Sequence, residues 1–221
     1  KATISDEEIA YLCESVNTYF HRPITPADVV WTYSAVRPLF DDGKTEAKAA
    51  TRDYYLQTEA GNGQPPLINI FGGKITTYRK LAEEVMEEVA RHLSPSSTSW
   101  TGATPLPGGD FPFNGYAQQV ADLVRDYPFV TSRHARRLIR LYGTIARQIL
   151  SNAKSYDDLG RCFGSDLFEA EILYQVDREW VVRAEDVLWR RTKEGLRVSR
   201  EEVEELDRYL MEPNLQERKF A

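Results

Sequence analysis

Cysteine is nearly absent: the 221 residues contain two, Cys13 and Cys162, far apart and without metal-ligand spacing. That excludes a disulfide framework or a thiolate metal site as the organising device. It reads as a reducing compartment with free, mostly buried thiols. Histidine is as scarce, and His21, His92 and His134 are scattered without the spacing a metal requires, so they read as surface or packing residues. No run approaches the roughly 20 consecutive apolar residues of a membrane-spanning helix. Positive charge is not in excess: 28 Lys and Arg against 34 Asp and Glu leave a net charge of -6, so nucleic acid is not an expected partner. There is no Gly-x-Ser-x-Gly nucleophile elbow, and the carboxylates are too many and too dispersed to single out a catalytic pair. No Gly-x-Gly-x-x-Gly follows an N-terminal strand, so the fingerprint that binds the ADP half of a dinucleotide is lacking. The chain opens Lys1-Ala2-Thr3 without an initiator Met or a signal-peptide pattern, which fits a fragment, a processed chain or an expression boundary.

What is present is ordinary globular material, 42% hydrophobic and 28% charged, in a length suited to one or two domains. Ser5-Asp6-Glu7-Glu8 is a capping box that opens a helix carrying Ile9, Leu12, Val16 and Tyr19 or Phe20 at helical spacing. Thr25-Pro26-Ala27-Asp28 is a second cap with Pro at the first helical position, starting only a turn. From Val29 to Phe40 the β-branched and aromatic residues read as a strand closed by Arg37-Pro38. Thr51 to Leu56 and Pro66 to Phe71 read as two further strands, turned by Gly61-Asn62-Gly63 into a hairpin. After Gly72-Gly73 comes a long amphipathic helix with the stripe Ile75, Tyr78, Ala82, Val85, Val89 and Leu93.

The Ser-, Thr-, Pro- and Gly-rich stretch 95–112 reads as a linker between residues 1–94 and a helical domain of residues 113–221. In the latter, Ala135, Leu138, Ile139, Tyr142, Ala146 and Ile149 make one apolar face, opposite a solvated face of Arg133, Arg136, Arg137, Arg140 and Arg147. A helix from Phe168 to Trp180 follows. Another holds Val187, Leu188 and Trp189 and ends near Gly195, with Trp180 and Trp189 in the core. A second capping box at Ser199 opens a last helix. The fold class is therefore α+β, predominantly helical, a strand and hairpin segment followed by an all-α bundle.

The most informative segment is Ile70-Phe71-Gly72-Gly73-Lys74-Ile75-Thr76-Thr77-Tyr78-Arg79. A strand runs into two glycines and then a helix, so backbone can approach a ligand closely and the first helical amides are donors at the positive end of the dipole. With Lys74 this suits an anion or an electron-rich carbonyl edge. The same pattern is also that of a plain tight turn with Lys74 in solvent. A P-loop is excluded, because Ile68 and Ile75 stand where that motif needs Gly and Ser or Thr. Arg37 and Arg52, at strand ends, have the chemistry to converge on a phosphate, although either one alone reads first as an ion-pair partner of Asp41, Asp42 or Asp53.

Three strings occur in order: Val30-Trp31-Thr32-Tyr33-Ser34-Ala35-Val36-Arg37-Pro38-Leu39, Ala50-Thr51-Arg52-Asp53-Tyr54, and Phe71-Gly72-Gly73-Lys74-Ile75-Thr76-Thr77-Tyr78-Arg79-Lys80. They resemble successive motifs of the FAD-dependent glycerol-3-phosphate dehydrogenases and oxidases. Asp158-Leu159-Gly160, Phe163-Gly164 and the run from Glu179 to Thr192 resemble that family's C-terminal helical domain. A Gly commonly stands where this chain has Ala35.

The resemblance implies an enzyme that oxidises sn-glycerol 3-phosphate to dihydroxyacetone phosphate, passing hydride to FAD and electrons to a membrane quinone. It implies a catalytic, substrate-facing Arg37, with Arg52 and Lys74 also on the substrate, and a flavin pyrimidine edge at Gly72, Gly73, Lys74, Ile75 and Thr76. No metal is implied. It further implies a cytoplasmic protein, with peripheral association at the cytoplasmic face of the membrane and a homodimer both open. Residues 1–94 would be part of a larger FAD and substrate domain, so the chain alone is expected neither to retain flavin nor to turn over. The alternatives are an oxidase using oxygen and a non-catalytic helical interaction module. Strands drawn from a larger sheet would leave unpaired edges, so the piece before Ser94 is expected to be loosely held while the bundle folds by itself.

Overall fold

The computed structural model describes residues 2–36, 40, 53–61, 63–94, 97–213 and 215. They form an α+β structure, mainly helical, divided into two compact units, 1–104 and 105–221.

The first unit opens with α1 (Asp6–Asn17). Its capping box forms as the sequence requires: Glu8 N donates to Ser5 Oγ (3.2 Å) and Ser5 N donates to Glu8 Oε2 (2.9 Å). Beyond the helix, the Asn17 amide brackets the backbone of Ile24, donating to its carbonyl and accepting from its N–H. This folds the chain back into a 3₁₀ turn at Pro26–Asp28. The expected strand from Val29 does not form among residues 29–36, which pair with neither described strand. Val30, Tyr33 and Val36 are 86%, 76% and 82% exposed. β-propensity reports fit to a pleated, half-buried surface, and among the described residues no neighbouring strand supplies a ladder to realise it.

The hairpin does form. Strands β1 (Tyr55–Glu59) and β2 (Leu67–Phe71) are antiparallel, in register from Tyr55↔Phe71 to Glu59↔Leu67. The first of them lies a few residues later in the chain than its composition suggested. Helix α2 (Tyr78–Ala90) is tied to β1 and the residue before it by polar contacts: Tyr54 Oη donates to Glu84 (2.6 Å) and Thr58 Oγ1 to Glu88 (3.3 Å). Its apolar stripe is only partly covered, with Val85 and Val89 half-buried. No α2 residue is buried, and Ile75 and Leu93 at its two ends are 86% and 66% exposed. Among the described residues of this unit, Cys13 is the sole buried hydrophobic.

The second unit is a bundle of α3 (Tyr116–Asp126), α4 (Ser132–Tyr142), α5 (Ala146–Leu150), α6 (Glu169–Arg178) and α7 (Arg200–Leu210). Two dry clusters form its core, one around Leu123, Leu138 and Ile139, the other around Ile172, Leu188 and Leu206. Thr131 caps α4 through His134 N (3.2 Å). Gly108 and Gly143, both at positive φ, meet backbone to backbone, with Thr144 N donating to Gly108 O (3.1 Å). A Cβ on either glycine would overlap the other segment's carbonyl, so the loop around Gly108 can lie on the end of α4 only with glycine at both places.

Arg137, read as part of a solvated face, is buried instead. Its guanidinium is bidentate to Glu171 (2.7 and 2.6 Å) and donates to Asp166 O (2.6 Å), with side chains 10% and 2% exposed. Tyr142 Oη donates to the same carboxylate (2.8 Å) and accepts from Gln175 Nε2 (2.7 Å). Burial works against the Arg137 charge, but Glu171 outweighs it and raises the pKa. Burial and the Glu171 charge together raise Tyr142. His134 stacks against Tyr156 and Phe168, which also stack on each other, and its pKa is pushed down to about 4 by burial and by Arg137.

Three further expectations are corrected. Trp180 is 87% exposed at φ 55, because α6 ends at Arg178 and Val181 takes the buried place, its N–H reaching Gln175 O. Arg191 clamps that corner by donating twice to Glu179 O. The run Asp186–Arg191 is a π-helical turn, and Lys193 rather than Gly195 takes the left-handed position. A Cβ at Gly195 would strike the half-buried Trp189 ring. Cys162 is free and exposed, whereas Cys13 is free and buried.

Candidate functional site

The candidate site begins where β2 ends. Gly72 and Gly73 both adopt left-handed backbone, at φ 72 and φ 102. That conformation is strained for any residue with a Cβ, which is the reason for the glycine pair. Space is not the constraint at Gly73, since a Cβ there would make only ordinary contacts with Tyr54 and Leu81, at 3.6 and 3.7 Å.

Lys74 returns to extended backbone at φ -118 and ψ 144 and leads into a 3₁₀ turn, Ile75–Thr77. The long helix therefore does not follow the glycines directly; one tighter turn intervenes before α2 starts at Tyr78. Inside that turn the first amide to find an acceptor is that of Thr77, which donates to Lys74 O (3.1 Å), and the Thr77 hydroxyl donates to the same oxygen (3.1 Å). The amides of Ile75 and Thr76 precede this bond, so within the turn they are donors with no acceptor. Ile75 and Thr76 are exposed, and Gly72 and Gly73 half-buried.

Lys74 Nζ lies 2.8 Å from Asp53 Oδ1, at the start of the hairpin. Next to it Tyr54 has its pKa pushed up to about 12 by the hydrogen bond it donates to Glu84. Arg37 and Arg52 lie outside the described residues. The structure thus brings Gly72, Gly73, Lys74, Ile75 and Thr76 together as one corner. It adds Asp53, which the sequence reading considered only as an ion-pair partner for an arginine.

Two cavities lie away from this corner. A groove of about 400 Å³ runs between α2 and residues 97–101, beside a Glu83 carboxylate whose pKa is lowered by hydrogen bonds from Ser99 and Lys80. In the helical unit a cleft of about 730 Å³ is lined by Leu106, Asp110, Tyr142, Tyr174, Arg178 and Glu179. Burial raises the Glu179 pKa, and Arg191 opposes the rise. The claim of the glycine corner rests on donors and backbone form. Among the described residues no group of His, Cys, Asp or Glu is arranged to hold a metal, and no helix is long and apolar enough to cross a membrane.

Comparison with known proteins gives a consistent result. The chain is 44% identical over 211 residues to an aerobic glycerol-3-phosphate dehydrogenase of Escherichia coli, covering 95% of this chain and 42% of that protein. It is 40% identical over 210 residues to a glycerol-3-phosphate dehydrogenase of Pseudomonas aeruginosa, covering 95% and 41%. A D-erythritol 1-phosphate dehydrogenase of Brucella abortus is 43% identical over 199 residues, covering 89% and 39%. The chain therefore spans about two-fifths of the length of these relatives. Residues 99–212 match the family described as the C-terminal domain of alpha-glycerophosphate oxidase, and to that family the chain belongs.

Proposed function

We propose that this chain carries part of the flavin and substrate site, together with the C-terminal helical domain, of an FAD-dependent dehydrogenase. Its reaction is the oxidation of sn-glycerol 3-phosphate to dihydroxyacetone phosphate, with electrons passed to a quinone. The observation that carries this reading is the corner from Gly72 to Thr76, in a chain whose relatives bear the name glycerol-3-phosphate dehydrogenase. The donor set suits the pyrimidine edge of a flavin. It has two amides without an acceptor in the turn, an adjacent ammonium, and two glycines that keep backbone accessible. When bound, FAD supplies the hydride acceptor.

This chain's own residues have three tasks. The amides of Ile75 and Thr76 and the Lys74 ammonium offset negative charge where it develops. Lys74 also reaches the phosphate or hydroxyl end of the substrate, and Arg37 and Arg52 grip the substrate, guanidinium to phosphate. The protein works in the cytoplasm, at the membrane face where the quinone is met, and the reading accommodates a homodimer. Electron transfer to oxygen is the second reading, favoured by the description of the matched family as an oxidase domain.

The test is anaerobic mixing of the intact flavoenzyme with substrate. Glycerol 3-phosphate is expected to bleach the flavin absorbance, and reoxidation to require a quinone. No bleaching overturns the proposal, bleaching only by D-erythritol 1-phosphate moves the substrate, and stoichiometric peroxide in air selects the oxidase. Residues 1–221 purified alone are expected to be colourless; a yellow sample with a flavin band contradicts this.

A further inference from the structure

The last pair of the hairpin is Tyr55↔Phe71, so Asp53, two residues before Tyr55, and Lys74, three residues after Phe71, leave the same end of the ladder. There Lys74 meets the Asp53 carboxylate at 2.8 Å from Nζ to Oδ1. With the side chains 45% and 75% exposed, such a pair contributes little to stability. Its effect is on geometry. A lysine ammonium rides on a flexible four-carbon stem and donates three hydrogen bonds. Asp53 takes one of them and confines the stem, leaving two donors. Asp53 also directly follows Arg52 in the chain, so one short segment carries both a proposed phosphate ligand and the group that orients Lys74.

Building on the function proposed above, we infer that Asp53 is a positioning residue, holding the Lys74 ammonium at the mouth of the Gly72-Gly73 turn so that it is aimed before substrate arrives. Pre-organisation of this kind lowers the side-chain entropy lost on binding, and its signature is in substrate affinity before turnover. It also places a carboxylate near an anion site, which is tolerable because the ammonium it touches offsets its charge.

The experiment uses the intact flavoenzyme, glycerol 3-phosphate and a redox dye as electron acceptor. Asp53→Ala is expected to raise KM about tenfold while changing kcat less than about threefold, with flavin content and melting temperature unaltered. Asp53→Asn, whose amide oxygen still accepts from Nζ, is expected to recover most of the loss. Because Asp53 acts through Lys74, the Asp53→Ala/Lys74→Met double variant is expected to be no worse than Lys74→Met alone. An unchanged KM in Asp53→Ala overturns the inference, as do two effects that multiply in the double variant. An unchanged KM in Lys74→Met overturns instead the placing of Lys74 on the substrate, so the two failures are told apart.

Discussion

Among the described residues the helical unit buries two clusters of large apolar side chains, although Phe113 and Trp180 stay exposed, whereas the hairpin unit buries none. Leu123, Leu138, Ile172 and Leu206 are all 0% exposed, whereas Tyr19, Phe20, Val30 and Ile75 are 84%, 67%, 86% and 86% exposed. Both units contain capped, amphipathic helices, so the difference is not one of local propensity. It lies in whether a second apolar surface is available: α4 has α3 and α6 to pack against, while α2 meets β1 and the residue before it through carboxylate-to-hydroxyl bonds at Glu84 and Glu88. An amphipathic stripe states that a face is meant to be covered; it does not supply the cover. On the proposed reading, that cover is the dinucleotide-binding part of the enzyme.

The contrast can be broken or sharpened by measurement. The largest expected effect is on the helical unit's buried charge. Glu171→Ala leaves Arg137 buried and unpaired and is expected to cost about 3–5 kcal/mol in urea unfolding followed through the helical unit. Loss of less than about 1 kcal/mol would mean that the pair is not welding α4 to α6.

Next comes pH. The folded-state pKa of His134, about 4, lies below its usual 6.5, so the native unit prefers the neutral ring. The unfolded chain takes up the proton first as pH falls, and stability drops between about 6.5 and 4, by roughly 3 kcal/mol, then levels off. In His134→Phe that dependence is expected to flatten, as read from unfolding midpoints across the range.

Hydrogen exchange addresses the comparison itself. In a monomer, amides of β1 and β2 are expected to exchange about a hundredfold faster than those of α4 and α6, a difference of about 2.7 kcal/mol in opening free energy. Equally slow exchange in both units would show the hairpin unit to be self-sufficient. The smallest effect is at Trp180. A core tryptophan lost to glycine costs several kcal/mol, but here Trp180→Gly removes an exposed ring from left-handed backbone and is expected to change stability by no more than about 1 kcal/mol, in the stabilising direction.

What could be read without coordinates was local or periodic. Both capping boxes form, because Ser5 with Glu8 and Ser199 with Glu202 need only three residues of helical backbone to meet. The α4 stripe is buried as its 3.6-residue period requires. The glycine pair was legible because left-handed backbone has few other occupants. The misreadings share one cause. Val29 to Val36 has strand composition without a described strand beside it, Arg137 looks like its neighbouring surface arginines until α6 brings Glu171, and Trp180 sits two residues past a helix end that only packing defines. For the candidate site, Asp53 was on view at its position, but nothing within the segment pairs it with Lys74, 21 residues away; closure of the hairpin brings the two together.

By itself, the amino-acid order determined the mainly helical α+β class, the caps, the hairpin and the donor-rich turn after it, since each is decided within a few residues by backbone sterics and short-range hydrogen bonds. Tertiary structure alone decided which arginine is buried, which tryptophan is wet, and which carboxylate meets Lys74. Those outcomes depend on surfaces far apart in the chain, where burial and charge pairing are settled by what arrives from elsewhere.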